Sequence, residues 1–254
     1  MKRKILRATA IRAIIKTTTL TTFALAFMLG AACGAQAEDA QAQDAKAPYP
    51  AYLIADQDAE IALARSAAPE SISKDADVLV LGQHGYGTAV KGKNGFVCFV
   101  QRSWAAAPDD PEFWNPRLRA PICINAPAVR TFLPLIIKKT EWVLEGRSKA
   151  QIVADLKTAF DKKELPTLEP GAMSYMQSKQ GYLSDHDSHG GHWHPHVMFF
   201  VPLADAQTWG ANLPGSPILA AEDPLERLTI FLIPVAKWSD GTPDDGTTDS
   251  PHKH

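Results

Sequence analysis

Tyr86-Gly87-Thr88-Ala89-Val90, Lys91-Gly92-Lys93-Asn94-Gly95 and Phe96-Val97-Cys98-Phe99-Val100-Gln101 follow one another without a break. The outer pieces are β-branched, aromatic and aliphatic, the side chains that fit a pleated, half-buried surface. The Asn94-Gly95 pair between them favours the type I′ turn of a two-stranded hairpin. The stretch therefore predicts an antiparallel hairpin and, with it, an antiparallel sheet.

Upstream, Asp77-Val78-Leu79-Val80-Leu81 reads as a further strand. The glycines Gly82, Gly85 and Gly87 have the wrong spacing for a dinucleotide fingerprint, and no helix follows them. His84 lies in the turn and reads as an exposed loop histidine. A short helix over about Ala59–Ala67 is capped by Asp58 and stopped by Pro69.

Downstream, Ala105–Pro121 carries Pro108, Pro111 and Pro116 beside Phe113 and Trp114, so it reads as a long irregular excursion anchored by aromatics. Its acids Asp109, Asp110 and Glu112 read as solvated. Asn125 caps a helix over Ala126–Leu144, with either a kink at Pro134 or a later helix start expected. Ser148 and Gln151 form a capping box that opens a second helix, to about Lys162, with Ile152, Leu156 and Phe160 on one face. Lys138-Lys139 and Lys162-Lys163 read as surface charge. Strands follow at Ala172–Gln177, Val197–Val201 and Leu228–Ile233. The expected fold is α+β: an antiparallel sheet with a helical hairpin packed on one face. Residues 51–238 form its single domain.

The ends read differently. Lys2, Arg3, Lys4, Arg7, Arg12 and Lys16 precede an apolar run from Leu20 to Gly34, and Ala35-Gln36-Ala37 has a small-x-small pattern. This is the form of a signal peptide over 1–37, cleaved after Ala37, and it predicts a periplasmic or secreted product. Cys33 follows Gly30-Ala31-Ala32, but Leu29 sits one place too early for a good lipobox. Residues 38–50 read as a flexible linker and 239–254 as a disordered tail. No segment after the signal is long and apolar enough to cross a bilayer.

The chain carries 26 Lys and Arg against 28 Asp and Glu, a net charge of −2. The signal segment's charges are all basic, so the remainder is more acidic still. That excludes a nucleic-acid binder, which needs clustered basic side chains. Removal of Cys33 leaves Cys98 and Cys123, and two cysteines in an oxidising compartment predict one disulfide. In the chain-entropy description its loop is worth about 3 kcal/mol.

One stretch points to chemistry: Asp185-His186-Asp187-Ser188-His189-Gly190-Gly191-His192-Trp193-His194-Pro195-His196. It holds five of the chain's eight histidines. Imidazole is the commonest protein metal ligand. If the chain is extended from His192, then His192, His194, His196, Met198 and Phe200 share one face, and Trp193, Pro195, Val197, Phe199 and Val201 share the other. The second face reads as the core face, and the first as a pocket wall with ligands at its mouth. Side chains at i and i+2 lie roughly 6.6 Å apart and can converge on one ion, whereas i and i+4 at roughly 13 Å cannot on a straight strand. An adjacent pair is therefore expected, His192 with His194 or His194 with His196. Further ligands would come from His186, Asp187, His189 or His84. Imidazole with carboxylate suits zinc, iron, nickel, copper or manganese, and zinc is taken first.

The His-x-His spacing before an apolar strand resembles the metal strands of cupins and carbonic anhydrases. No cupin glutamate motif follows, and the mixed helix and strand order does not suit a jelly roll. The Gly92-x-Asn94-Gly95-Phe96 and Gly191-His192-Trp193-His194-Pro195-His196 runs resemble those of secreted bacterial proteins of uncharacterised activity, a resemblance that implies no reaction. Ser71-Ile72-Ser73-Lys74 fits Ser-x-x-Lys without its companion motifs, and there is no Gly-x-Ser-x-Gly or Walker loop. The expectation is an exported protein with a histidine-rich metal site, its chemistry metal-assisted hydrolysis if it is an enzyme. The alternative is a non-catalytic envelope protein that binds a partner or small ligand.

Overall fold

A computed structural model of the chain describes residues 46–185 and 193–244. The expected signal segment, most of the linker, the end of the tail, and His186, Asp187, His189 and His192 lie outside the described residues. The elements in order are α1 (Gln57–Arg65), α2 (Glu70–Ser73), β1 (Asp77–Gly82), β2 (Gly85–Val90), β3 (Val97–Gln101), β4 (Ala120–Ile124), α3 (Ala126–Thr131), α4 (Leu133–Leu144), α5 (Lys149–Asp161), β5 (Met173–Met176), β6 (His196–Pro202), β7 (Leu219–Asp223) and β8 (Leu228–Pro234). The strands form one sheet in the order β2-β1-β3-β4-β5-β6-β8-β7.

Every pairing is antiparallel except β1 with β3. This corrects the expected hairpin. β2 pairs with β1, turning through Gln83-His84 with Gly85 at a positive φ of 97°. β3 then joins the opposite side of β1. The Asn94-Gly95 turn serves this crossover. Asn94 Oδ1 accepts from the Phe96 N–H, while Asn94 Nδ2 donates to Ile72 O. Lys93 and Asn94 both donate backbone N–H groups to Asp75 O. At Gly92 a Cβ would lie 2.3 Å from Asp75 O, so only glycine lets the chain pass the start of β1.

Helices lie on both faces of the sheet. Ala64, Ala67 and Ala68, in and just after α1, pack with Val78, Cys98, Val100 and Cys123, and small side chains allow that close approach. The alternate residues Val97, Phe99, Ile122 and Ile124 belong to the main core with Phe132, Leu135, Ile136, Ile152 and Leu156 of the α3–α5 segment. Cys98 and Cys123 are directly opposed on β3 and β4 and form the expected disulfide. The helix expected over 126–144 is broken at Phe132, since Pro134 has no N–H to give to the preceding turn. The Ser148–Gln151 capping box is present.

Two strands were missed. β4 contains Pro121, which argues against a strand by composition, and β7 is an edge strand of small and acidic residues. Described residues on either side of 51–238 also make contacts. Lys46 Nζ donates to Val143 O, and Ala47 and Tyr49 pack on the main core. Ser239–Asp244 is hydrogen-bonded into a turn.

Candidate metal centre

Three segments leave the sheet at one end. Residues 102–119 connect β3 to β4, residues 177–195 connect β5 to β6, and residues 235–244 follow β8. The registers Gln101↔Ala120, Met176↔His196 and His196↔Pro234 place them side by side.

The first two segments are fastened together. Arg119 and Tyr182 exchange backbone hydrogen bonds, each 2.8 Å. Glu112 is buried, not solvated as its loop composition suggested. Its Oε1 accepts from Ser184 Oγ at 2.7 Å and from the Asp185 N–H at 2.9 Å, and its Oε2 accepts from Asn115 Nδ2. Asp185 also pairs with Arg117 at 3.0 Å and accepts from Tyr182 Oη. The chain thus enters the histidine stretch from a fixed post.

It leaves from another. Trp193 is buried, its Nε1–H donates to Ser178 O at 2.9 Å, and its ring lies against Gly181 so closely that a Cβ there would meet Cζ2 at 2.4 Å. Val235 N–H donates to Pro195 O at 2.8 Å. From Trp193 onward the backbone is held.

His194 and His196 have different surroundings but the same bonding. The His194 side chain is exposed, and its Nδ1–H donates to Asp244 Oδ2 at 2.7 Å. His196 is buried, and its Nδ1–H donates to the carbonyl of His194 at 2.7 Å. A carbonyl or carboxylate oxygen can only accept, so each ring carries its proton on Nδ1, and in the neutral ring Nε2 is a lone pair. Neither Nε2 has a partner among the described residues. Burial holds the His196 imidazole below its ordinary pKa, outweighing the bond to His194 O, with a smaller contribution from the His194 charge in the same downward direction. The His196 and Trp193 rings pack edge to face, with centroids 5.7 Å apart.

The faces of β6 are the reverse of those expected. Met198 and Phe200 point into the main core, where Phe200 stacks on Phe132 with centroids 4.1 Å apart. Val197 and Val201 are only partly buried, and Phe199 is exposed. The supposed pocket floor is therefore packed core. His84 is exposed as expected, but its hairpin lies on the far side of β3, β4 and β5 from β6. Four inter-strand steps amount to roughly 19 Å, which removes it as a co-ligand. Among the described residues no group of three or more His, Cys, Asp and Glu is placed to hold an ion. Besides His84, His194 and His196 are the members of the expected ligand set that are described.

Two buried ion pairs escaped the sequence reading. Arg102 Nη2 donates to Glu60 Oε1 at 2.9 Å, both side chains essentially without exposure, and Glu60 Oε1 also accepts from the Leu81 N–H. Glu60 lines a cleft of about 440 Å³ with Leu53, Ile54, Val80 and Gln83. Lys139 Nζ donates to Glu226 Oε1 at 2.5 Å and to Ala106 O at 2.7 Å, so it is not surface charge. A periodicity signal existed for Lys139: it lies three residues after Ile136 and four before Val143, on the apolar stripe of α4. No family model, curated protein or solved structure matches the chain.

Proposed function

We propose that the chain is an exported metal-binding protein whose site is built on His194 and His196, with zinc the first ion to test. One observation carries the reading: both rings commit Nδ1–H to an oxygen acceptor, and neither Nε2 has a partner among the described residues. Metal-ligating histidines almost always donate the other ring N–H to a carboxylate, a carbonyl or water, which fixes the tautomer and raises the basicity of the ligating nitrogen. Burial of His196 supports the same role, because a ligand must be the neutral imidazole. The remaining ligands in this reading come from His186, Asp187, His189 and His192. If a coordination position stays open to water, the chemistry is metal-assisted hydrolysis. In the same reading α4 and α5 act as a helical hairpin on the sheet face that carries Phe200, sharing its core through Ile136 and Leu156.

The test is elemental analysis of untagged protein. Near-stoichiometric zinc or another transition metal, lost in His194→Ala and in His196→Ala, supports the proposal. Substoichiometric metal unaffected by His194→Ala refutes it. The second reading, a non-catalytic envelope protein that binds a small ligand, rests on the cleft beside Glu60. It takes the histidines as structural, and predicts protein without metal whose stability falls in both histidine variants.

A further inference from the structure

The residues after β8 form a small built unit. Val235 N–H donates to Pro195 O, and Ser239 N–H to Gln177 O, both within 2.9 Å. Lys179 Nζ pairs with Asp240 Oδ2 at 2.9 Å. Asp240 Oδ1 accepts from the Thr242 N–H and Oγ1, and these bonds, led by the Thr242 hydroxyl and followed by Lys179, pull its carboxyl down to about 2. Gly241 has a positive φ of 84°, which lets the chain reverse. Trp238 N–H donates to Thr242 O, and Asp244 N–H to Ala236 O at 3.0 Å. The reversal thus delivers Asp244 beside the segment that leads into β6, where its carboxylate meets His194 Nδ1.

We propose that Asp244 is the positioning residue of the metal site: by accepting from His194 Nδ1–H, it holds His194 as the Nε2-ligating tautomer, so the C-terminal turn is part of the centre. The inference rests on the metal-binding reading above. The coupling extends one residue further, because the backbone carbonyl of His194 orients His196 through its own Nδ1–H. One carboxylate therefore fixes the first ring directly, while the backbone of that same residue fixes the second. The Asp244 side chain is mostly shielded and the His194 side chain mostly open, at 15% and 63% exposure. That arrangement leaves the positioning bond partly protected and the ligating edge accessible.

The experiment uses the untagged full chain, titrated with Zn²⁺ against a chromophoric chelator. Long-range ¹H–¹⁵N spectra of the metal-free protein report the tautomer of each histidine. Asp244→Ala should weaken Zn²⁺ binding 10- to 100-fold, the usual effect of removing an outer-shell partner. The His194 ring signals should leave the Nδ1–H pattern while those of His196 keep it. Asp244→Asn retains shape and one acceptor oxygen and should lie between parent and alanine. If His194→Ala abolishes binding but Asp244→Ala changes neither affinity nor the His194 tautomer, the inference is overturned and the metal site survives. If the parent holds no stoichiometric Zn²⁺, or binds it equally well without His194, the metal reading itself fails. The positioning role then falls with it.

Discussion

Replacement of Lys139 by methionine probes the packing that holds the irregular 102–119 segment in place. The Lys139 ammonium has no exposure and donates to Glu226 Oε1, Ala106 O and, at 3.3 Å, Ala105 O. Methionine fills the space but strands a buried carboxylate and removes a donor from two carbonyls. Breaking a buried pair from one side costs about 3–5 kcal/mol, mostly from the charge left behind. At about 2–4 °C per kcal/mol for a domain of this size, the melting temperature should fall by roughly 6–20 °C. The pH dependence gives a sharper check. Burial already holds the Glu226 carboxyl above its usual range, against the downward pull of Lys139. Without Lys139 it moves higher. A carboxyl raised in the folded state binds more protons there than in the unfolded state, so stability falls as pH rises from the unfolded value, about 4.3, through the folded one. The Lys139→Met deficit should therefore be larger at about pH 8 than at about pH 5.5, measured by urea unfolding with tryptophan fluorescence. Adding Glu226→Leu should recover most of the loss, since an apolar pair of similar volume replaces the ion pair without stranding a charge. A deficit under about 1 kcal/mol at pH 8, no relief on acidification, or a double variant as unstable as the single one would refute the reasoning.

Gly181→Ala should force the Trp193 ring from its seat, because the new Cβ would lie 2.4 Å from Cζ2. The expected loss is about 1–3 kcal/mol with a red shift of tryptophan emission, and unchanged emission and stability would contradict the packing. Cys98→Ala with Cys123→Ala should lower stability by about 3 kcal/mol in urea unfolding, since the bridge spans 25 residues of sequence; equal midpoints for parent and variant would show that it contributes nothing.

Sequence patterns read well where a local rule had no competitor. The capping box at Ser148, the break before Pro134 and the disulfide each depend on nearby residues or on a count of cysteines. Partners were harder to read. Asn94-Gly95 did mark a turn, yet nothing in its chemistry says whether the chain doubles back beside β2 or crosses to the far side of β1. The deciding contacts, to Asp75 and Ile72, come from some twenty residues away in sequence. β4 was hidden by Pro121, whose missing N–H is a local argument overridden by a fully buried strand between β3 and β5. Lys139 and Glu60 were passed over because charge outweighed position: each sits on a helix face that is otherwise apolar, and each finds its counter-ion far along the chain.

The reversal at β6 shows why the candidate site was only half legible. Val197, Phe199 and Val201 alternate with Met198 and Phe200, and both sets are apolar, so a period of two assigns two faces without saying which is inside. Phe132 decides it by stacking on Phe200, and Phe132 lies where Pro134 breaks the helix. His196 then falls on the core face and is desolvated, while His194, preceding the strand, stays at the surface. Spacing alone made these two histidines equivalent ligands. Their environments make them complementary: a buried imidazole held neutral by desolvation, and an exposed one held in register by a carboxylate. An ion bound by both would sit at the boundary between core and solvent, approached from the His194 side. That asymmetry predicts that His196→Ala disturbs both packing against Trp193 and metal binding, whereas His194→Ala abolishes metal binding with little change in unfolding midpoint when parent and variants are compared metal-free, so that the stabilisation from bound metal does not enter. Equal losses of stability in the two variants would mean that the pair is structural.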